Sequence, residues 1–360
     1  MNIFETIKEY EQLVFINEKD IGLKGIICIH NTTLGPALGG CRLFNYASEE
    51  EAIFDVTRLA KGMTYKSAIS GLNWGGGKAV IIGDTKSIKR EYIFKAFGKY
   101  IEGLNGRYIT AEDVNTTTTD MSYVNESTNY VAGLLGKSGN PSWFTAKGTY
   151  YGIKAAVKEQ FKTDSLKGLR VALQGLGSVA AHLAEMLHNE GAKLIVTDIN
   201  QQKCQVAKEK FAAKVVEPNS IISADCDIFS PCAMGAVIND NTINTLKAKV
   251  IAGCANNQLL EEKHADELAQ KGILYAPDYV VNAGGLINVT REFHNMNEEI
   301  ALKKISNIYN TILEIFAFAK EKRISTFKAA NLLAEERIQN VQKLDRIFTQ
   351  RGKIVFNKTN

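Results

Sequence analysis

One segment in the second half of the chain combines strand, glycine, helix and acid signals in a fixed order. Residues 169–174 form an apolar run typical of a buried strand, and the sequence Gly175-Leu176-Gly177-Ser178-Val179-Ala180 follows at once. Apolar residues at helical spacing come next, and a second apolar run, 194–197, ends at Asp198. Since two parallel strands need a crossover helix, this order predicts a βαβ unit.

The glycine turn matches the G-x-G-x-x-A form of the dinucleotide-binding fingerprint. In this pattern Gly175 makes the tight turn, Gly177 lets a pyrophosphate approach the backbone, and Ser178 and Val179 open the helix. Asp198 can accept hydrogen bonds from ribose hydroxyls but would repel a 2′-phosphate, and no arginine follows it nearby. The segment therefore predicts a Rossmann-type fold that binds NAD rather than NADP.

Further apolar runs at 227–229, 250–252 and 273–275 alternate with helical segments. This alternation predicts a doubly wound parallel sheet, in which ligands bind beyond the carboxyl ends of the strands. Two of the runs lead into polar, glycine-bearing segments that contain Ala233 and Asn257. We therefore expect both residues to lie at the cofactor site.

A second glycine-rich segment lies in the first half of the chain. Gly75, Gly76 and Gly77 precede Lys78, and an apolar run follows. Glycines allow close approach of a ligand, so Lys78 is expected at the mouth of a strand facing a small site. With Lys66 nearby, burial and repulsion would lower a lysine pKa, which suits a general base. The alternative is a plain turn with a solvated lysine.

Two other features of this half have open interpretations. The short strand pattern 108–111 ends at Glu112 and Asp113, where a catalytic carboxylate or an ordinary helix cap is expected. The glycine-rich connection 35–42, which contains Gly39, either lines a site with its backbone or is a plain loop.

Composition limits the protein classes that fit this chain. Its 360 residues suggest two domains, and a net charge of +4 is too small to indicate binding to nucleic acid or to a membrane. No apolar stretch approaches the roughly 20 residues of a membrane span, and the N-terminus lacks a signal-peptide pattern, so a cytoplasmic location is expected. The six cysteines and five histidines lack ligand spacing, so no metal is expected.

A polar, glycine-rich stretch at 138–141 marks a domain junction. We expect an α/β protein with an N-terminal substrate-binding and oligomerisation domain over residues 1–136. The Rossmann NAD-binding domain is expected over 137–327, with C-terminal helices over 328–360 packing back onto the first domain.

Several blocks in one order resemble a known family over nearly the whole chain. The sequence is similar to the amino-acid dehydrogenases that act on glutamate, leucine, phenylalanine or valine, and most of all to those that act on branched-chain substrates. The blocks that carry the resemblance are 71–78, 109–114, 196–200, 255–259 and 282–285.

The resemblance implies a reaction and a catalytic set. An L-amino acid, NAD⁺ and water would give a 2-oxo acid, ammonia and NADH. Lys66 would bind the substrate carboxylate, Lys78 would activate water, and Asp113 would exchange protons with the amino nitrogen. The family also places Thr145 near the nicotinamide carboxamide and Asn257 at the substrate and the nicotinamide ribose.

The resemblance further implies an interdomain cleft and a homo-oligomer, often an octamer. It assigns the side-chain pocket to apolar residues beside Gly39. An apolar pocket argues against glutamate and for leucine, isoleucine or valine, because an unpaired buried carboxylate is costly. Phenylalanine is harder to exclude as a substrate, because apolar pockets separate apolar side chains by only about 1–3 kcal/mol per methylene. The pocket residues are Leu38, Met63, Ala111, Leu286 and Val289.

Two alternatives to a branched-chain enzyme stay open at this point. One is a phenylalanine dehydrogenase, and the other is a catalytically silent NAD- or amino-acid-binding paralogue. A silent copy is expected to lose at least one of Lys66, Lys78 and Asp113, and all three are present. One departure from the family is Asn115, which stands where a glycine is usual.

Overall fold

The computed structural model describes residues 2–84, 88–134, 136–138, 140–293 and 296–346. The chain divides into two compact units, the first of Met1–Gly139, Val289–Met296 and Ala334–Asn360, the second of Asn140–Asn288 and Asn297–Leu333. The last part of the C-terminal segment expected to pack on the first domain, 347–360, lies outside the described residues.

A single mixed sheet forms the centre of the first unit. Strand β5 pairs antiparallel with β2 and parallel with both β3 and β4, while β3 also pairs with β6. Strands β3 and β4 therefore act as one strand interrupted between Leu38 and Cys41. The strands are β1 (Gln12–Glu18), β2 (Leu23–Asn31), β3 (Ala37–Leu38), β4 (Cys41–Phe44), β5 (Gly75–Ile82) and β6 (Tyr108–Ile109).

Helices cover both faces of this sheet. On one face α2 packs against Ile26 and Val80, and on the other α3 packs against Ile27 and Ile81. Successive strand residues point to opposite faces, so burial on both sides explains why β2 and β5 are apolar almost throughout. The helices of this part are α1 (Ile3–Thr6), α2 (Glu49–Ile69), α3 (Arg90–Gly103) and α4 (Thr118–Asn125).

The second unit confirms the doubly wound parallel sheet that the sequence predicts. All of its strand pairs are parallel, in the order β12-β11-β10-β7-β8-β9. The strands are β7 (Arg170–Gln174), β8 (Lys193–Thr197), β9 (Lys214–Val215), β10 (Ile228–Pro231), β11 (Val250–Ile251) and β12 (Leu274–Tyr275).

Strand order in this sheet reverses between β7 and β10. The chain moves outward from β7 to β8 and β9, then returns to build β10, β11 and β12 on the other side. A ligand crevice forms at such a switch point, beyond the carboxyl ends of the strands. The helices from residue 142 onward are α5 (Ser142–Phe161), α6 (Ser178–Asn189), α7 (Gln201–Phe211), α8 (Lys263–Gln270), α9 (Asp278–Val281), α10 (Gly284–Val289), α11 (Glu298–Ser306), α12 (Ile308–Lys322) and α13 (Thr326–Gln342). The part of α13 from Ala334 onward belongs to the first unit.

Candidate active site

Lys78 lies inside β5, not at the mouth of a strand, so the expected position of this lysine is wrong. The three glycines before it are the first residues of the strand and do not form a turn. Their role is steric, because a Cβ on Gly76 would lie 2.1 Å from the backbone nitrogen of Thr64 in α2. The glycines let helix α2 lie directly on β5, which explains a pattern that otherwise suggests a glycine turn.

Lys78 and Asp113 are in direct contact. The Lys78 Nζ donates to Asp113 Oδ1 over 2.6 Å, and the two side chains are only 6% and 17% exposed. Asp113 reaches this point because the backbone N–H of Cys41 donates to the carbonyl of Ala111, which aligns the segment after β6 with β4. The structure therefore brings together two of the three residues expected to be catalytic.

A second cation holds the other oxygen of Asp113. The Arg42 Nε donates to Asp113 Oδ2 over 2.9 Å, and the Asp113 backbone N–H donates to Thr116 Oγ1 over 2.8 Å. Burial alone would raise the pKa of Asp113, but the Lys78 ammonium and the Arg42 guanidinium outweigh it and hold that pKa well below its usual range. Asp113 is therefore an anion at any pH where an enzyme works.

The interruption between β3 and β4 creates a close approach around Gly39. A Cβ there would lie 1.8 Å from the carbonyl oxygen of Gly77 and 3.3 Å from Cγ of Met63. Leu38 is 1% exposed and pairs with Gly76 on β5. The structure thus brings Leu38, Gly39 and Met63 together, with Ala111 on the next segment of the sheet.

The remaining residues of the expected substrate site lie in different places. Lys66 is in the last turn of α2, the helix that packs on β5 at Gly76. Val289 is buried in the first unit, whereas Leu286 belongs to the second.

Residues expected to bind the cofactor meet at the carboxyl edge of the second sheet. Gly175 has a φ of +95°, and a Cβ on it would lie 2.6 Å from Cβ of Ala233, so only glycine suits this turn. Asp198 Oδ2 accepts a hydrogen bond of 2.7 Å from the backbone N–H of Leu176 inside the turn. The ends of β7, β8 and β10 are thereby joined around the glycine turn.

The start of α6 has room for a phosphate group. Its N-cap, Gly177, provides no side-chain cap, and a Cβ built on Gly177 would meet no protein atom within 4 Å. Ser178 is exposed and Val179 half-buried as the helix begins. Uncapped N–H groups at a helix N-terminus attract anions, so these residues fit a dinucleotide pyrophosphate.

Two further cofactor candidates of the second unit are Asn257, in the loop after β11, and Thr145, in α5. The backbone N–H of Ala236 donates to the carbonyl of Asn257 over 2.7 Å, which ties the loops after β10 and β11 together. Thr145 lies near the start of α5, and a Cβ on Gly285 would come within 2.5 Å of its Oγ1. Thr145 is therefore adjacent to α10, the helix that carries Leu286.

Comparison with known proteins decides the family. The family model described as Glu/Leu/Phe/Val dehydrogenase, dimerisation domain, matches residues 11–130. The model described as Glutamate/Leucine/Phenylalanine/Valine dehydrogenase matches residues 140–200 and 196–346. The chain belongs to the Glu/Leu/Phe/Val dehydrogenase family.

Full-length relatives agree with this family. The chain is 55% identical over 363 residues to the leucine dehydrogenase of Geobacillus stearothermophilus, covering 99% of both. It is 49% identical over 355 residues to the phenylalanine dehydrogenase of Bacillus thermotolerans, covering 96% of this chain and 93% of that one. The crystal structure of L-tryptophan dehydrogenase from Nostoc punctiforme matches with a TM-score of 0.83 at 46% identity, covering 94% of this chain and 99% of that one. The protein is an oxidoreductase, an NAD(P)-dependent amino-acid dehydrogenase.

Sequence reasoning did not assign a role to Arg42 in this dehydrogenase. The only available signal was its place at the end of the glycine-rich connection 35–42. A sequence pattern does not show that β4 lies beside β5 or that Asp113 follows the neighbouring strand.

The departure at Asn115 has a structural explanation. Asn115 has a φ of +60°, a left-handed conformation that glycine adopts freely and asparagine tolerates better than most residues. Its Nδ2 donates to the carbonyl of Leu43 over 3.1 Å. Asparagine therefore replaces the usual glycine and adds a tie between this loop and β4.

One group in the dehydrogenase has the composition of a metal site. Within the described ranges, Asp240, His264 and Glu267 place ligand atoms within 4.8 Å of one another. Lys263 Nζ lies 3.1 Å from Asp240, and His264 Nε2 lies 3.3 Å from the same carboxylate. The charge of Asp240 is thus already balanced by the protein.

In the part of the chain that the structure describes, no helix is both long and apolar enough to span a bilayer.

Proposed function

We propose that this dehydrogenase catalyses the NAD-dependent, reversible oxidative deamination of branched-chain L-amino acids, with L-leucine preferred over isoleucine and valine. The contact between Lys78 and Asp113 carries the proposal. It places an amine and an anionic carboxylate side by side in a largely buried position, and the reaction needs both for proton transfer.

Each catalytic residue has one task in this proposal. Lys66 binds the substrate carboxylate, because an ammonium is the natural partner of that anion. In its neutral amine form, Lys78 takes a proton from the water that attacks the imino carbon. Asp113 exchanges protons with the amino nitrogen. A bound nicotinamide supplies the hydride acceptor.

The pocket chemistry supports a branched-chain substrate. Leu38 and Met63 lie beside Gly39, and the family resemblance assigns Ala111, Leu286 and Val289 to the same apolar lining. None of these side chains can pair with the distal carboxylate of glutamate. The higher identity to the leucine dehydrogenase than to the phenylalanine dehydrogenase also favours a branched-chain substrate, since apolar pockets alone separate such substrates by only about 1–3 kcal/mol.

Asp198 supports NAD as the cofactor. Its carboxylate stands at the end of β8, where a ribose hydroxyl is expected, and its negative charge would repel a 2′-phosphate. The glycine turn and α6 start, with Gly175, Gly177, Ser178 and Val179, would hold the pyrophosphate beside Ala233. Thr145 and Asn257 would hold the nicotinamide end.

We extend the proposal to domain roles and assembly. The first unit would bind the amino acid and form the subunit contacts, in line with the dimerisation-domain model that matches residues 11–130. The second unit would bind NAD. The working form would be a cytoplasmic homo-oligomer, an octamer, which light scattering on the purified protein tests directly.

The decisive experiment for this function is an initial-rate survey of NADH formation. The panel is leucine, isoleucine, valine, phenylalanine and glutamate with NAD⁺, repeated with NADP⁺. We expect the highest kcat/KM for leucine with NAD⁺ and little turnover of glutamate. A highest kcat/KM for phenylalanine would instead support a phenylalanine dehydrogenase. No turnover of any substrate, with NAD binding intact, would favour a catalytically silent paralogue.

A further inference from the structure

We propose that Arg42 is a positioning residue for the reaction, which fixes the plane of the Asp113 carboxylate and reserves Oδ1 for Lys78. The inference rests on the proposed function, because it presupposes the proton-transfer role of Asp113. Arg42 does not contact the reacting atoms in this account and acts only through Asp113.

The geometry divides the two oxygens of Asp113 between two cations. Oδ1 accepts from Lys78 Nζ over 2.6 Å, and Oδ2 accepts from Arg42 Nε over 2.9 Å. A carboxylate gripped at both oxygens cannot rotate about its terminal bond without breaking one charged hydrogen bond. Its orientation toward Lys78 is therefore set by Arg42.

Arg42 is itself fixed from the other side. Its Nη1 donates to Asp55 Oδ2 over 2.8 Å, and the same oxygen accepts from the hydroxyl of Tyr46 over 2.7 Å. Asp55 Oδ1 also faces Arg58 Nη2 at 3.3 Å. Since Asp55 lies on α2 and Arg42 on β4, the guanidinium is clamped between a helix and the catalytic carboxylate.

The titratable groups around Asp113 show which charges act on it besides that of Lys78. Burial raises the pKa of the Cys41 thiol and of the Tyr108 hydroxyl well above their usual values, so both are neutral. Tyr46 also stays neutral, because burial and the Asp55 carboxylate raise its pKa. Lys78 and Arg42 both supply positive charge to Asp113.

A lysine at position 42 could not do the same work. The guanidinium offers Nε to Asp113 and Nη1 to Asp55 in a fixed plane, whereas an ammonium is a single point charge on a flexible stem. Arg42→Lys therefore separates the two contributions, since it keeps the charge and loses the planar bridge.

The test compares Arg42→Gln and Arg42→Lys with wild type by their kcat and KM for leucine. We expect Arg42→Gln to lower kcat about tenfold to a hundredfold through misorientation. Arg42→Lys should also lower kcat, because it keeps the charge but loses the planar bridge. KM and NAD affinity should change less than kcat.

Arg58→Gln is the matched control, since Arg58 contacts Asp55 but not Asp113, and its kcat and KM should match wild type. An Arg42→Gln enzyme with wild-type kcat would overturn the inference, as would an Arg42→Lys enzyme with wild-type kcat. If Arg42→Gln does not fold, the test relies on an Arg42→Lys enzyme whose melting temperature equals that of wild type. A lower kcat in that enzyme supports the inference, and a wild-type kcat overturns it. Asp113→Asn separates the two proposals: turnover near wild type would sink the proposed role of Asp113, whereas an inactive Asp113→Asn beside a normal Arg42→Gln would sink only this inference.

Discussion

The Nζ of Lys78 lies 2.6 Å from Oδ1 of Asp113, although the two residues are 35 positions apart in sequence. Strand order creates this contact: Lys78 is on β5, Asp113 follows β6, and β3 pairs with both strands. The pair therefore depends on the sheet more than on either local sequence.

Glycine packing in β5 gives a stability prediction. A Cβ on Gly76 would lie 2.1 Å from the backbone of Thr64, so Gly76→Ala should destabilise the protein by about 1–3 kcal/mol or more. Gly62 is exposed on α2 with no atom within 4 Å of its Cβ position, so Gly62→Ala should stabilise it by up to about 1 kcal/mol. Urea unfolding of both variants checks the pair, and equal midpoints would contradict the packing argument.

Cofactor selection should depend on Asp198. Asp198→Ala removes the acceptor for ribose and the tie to the Leu176 N–H, and we expect KM for NAD⁺ to rise about tenfold or more. The preference for NAD⁺ over NADP⁺ should also shrink, because the repelling charge is gone. Glu209→Ala, which removes an acidic side chain on α7, is the control variant and should keep the wild-type kinetics with both cofactors. Unchanged kinetics with both cofactors would remove Asp198 from the site.

His30 should make stability depend on pH. Burial, followed by the charge of Lys61, lowers the His30 pKa to about 4, and Nδ1 lies 2.8 Å from Thr64 Oγ1. The unfolded chain binds a proton near pH 6.5 while the native state stays neutral, so stability is complete above about 6.5 and falls as the pH drops toward about 4.

Urea unfolding at two pH values tests this linkage. Between about pH 7 and pH 5 the His30 contribution to the free energy of unfolding should fall by about 2 kcal/mol. His30→Asn should remove that part of the pH dependence. A variant with the same pH dependence as wild type would show that His30 is protonated equally in both states.

Helix α13 should support the position of Lys66, the residue proposed to bind the substrate carboxylate. Arg337 donates to the carbonyls of Ala68 and Leu72 over 3.0 and 2.7 Å, at the end of the helix that carries Lys66. Arg337→Ala should cost about 1–3 kcal/mol of stability and raise KM for leucine more than KM for NAD⁺. Lys343→Ala is the control and should leave both KM values unchanged. A normal KM for leucine in Arg337→Ala would show that Arg337 does not support substrate binding.

The fold of the second unit could be predicted from sequence because its signals are local. Strand, turn, helix, strand and acid follow one another between residues 170 and 198, and the parallel sheet around them is confirmed. The family is confirmed as well, because many short blocks in one order are specific. The roles of the individual site residues stay predictions.

The local structure around Lys78 in the first unit was harder to predict for a physical reason. Glycine serves both unusual backbone angles and close packing, and the sequence does not distinguish these uses. The triplet before Lys78 therefore suggested a turn, whereas it packs a helix on a strand. Arg42 was missed because its contacts with Asp113 and Asp55 join segments that only the fold brings together.

The most direct test of the account is NADH formation from leucine by Lys78→Ala, measured beside wild type and Lys24→Ala, an exposed lysine on β2. We expect Lys78→Ala to lose roughly a thousandfold or more in kcat while NAD binding, measured by calorimetry, is retained. Lys24→Ala should match wild type. A Lys78→Ala enzyme with near-normal kcat would contradict the assignment of Lys78 as the base.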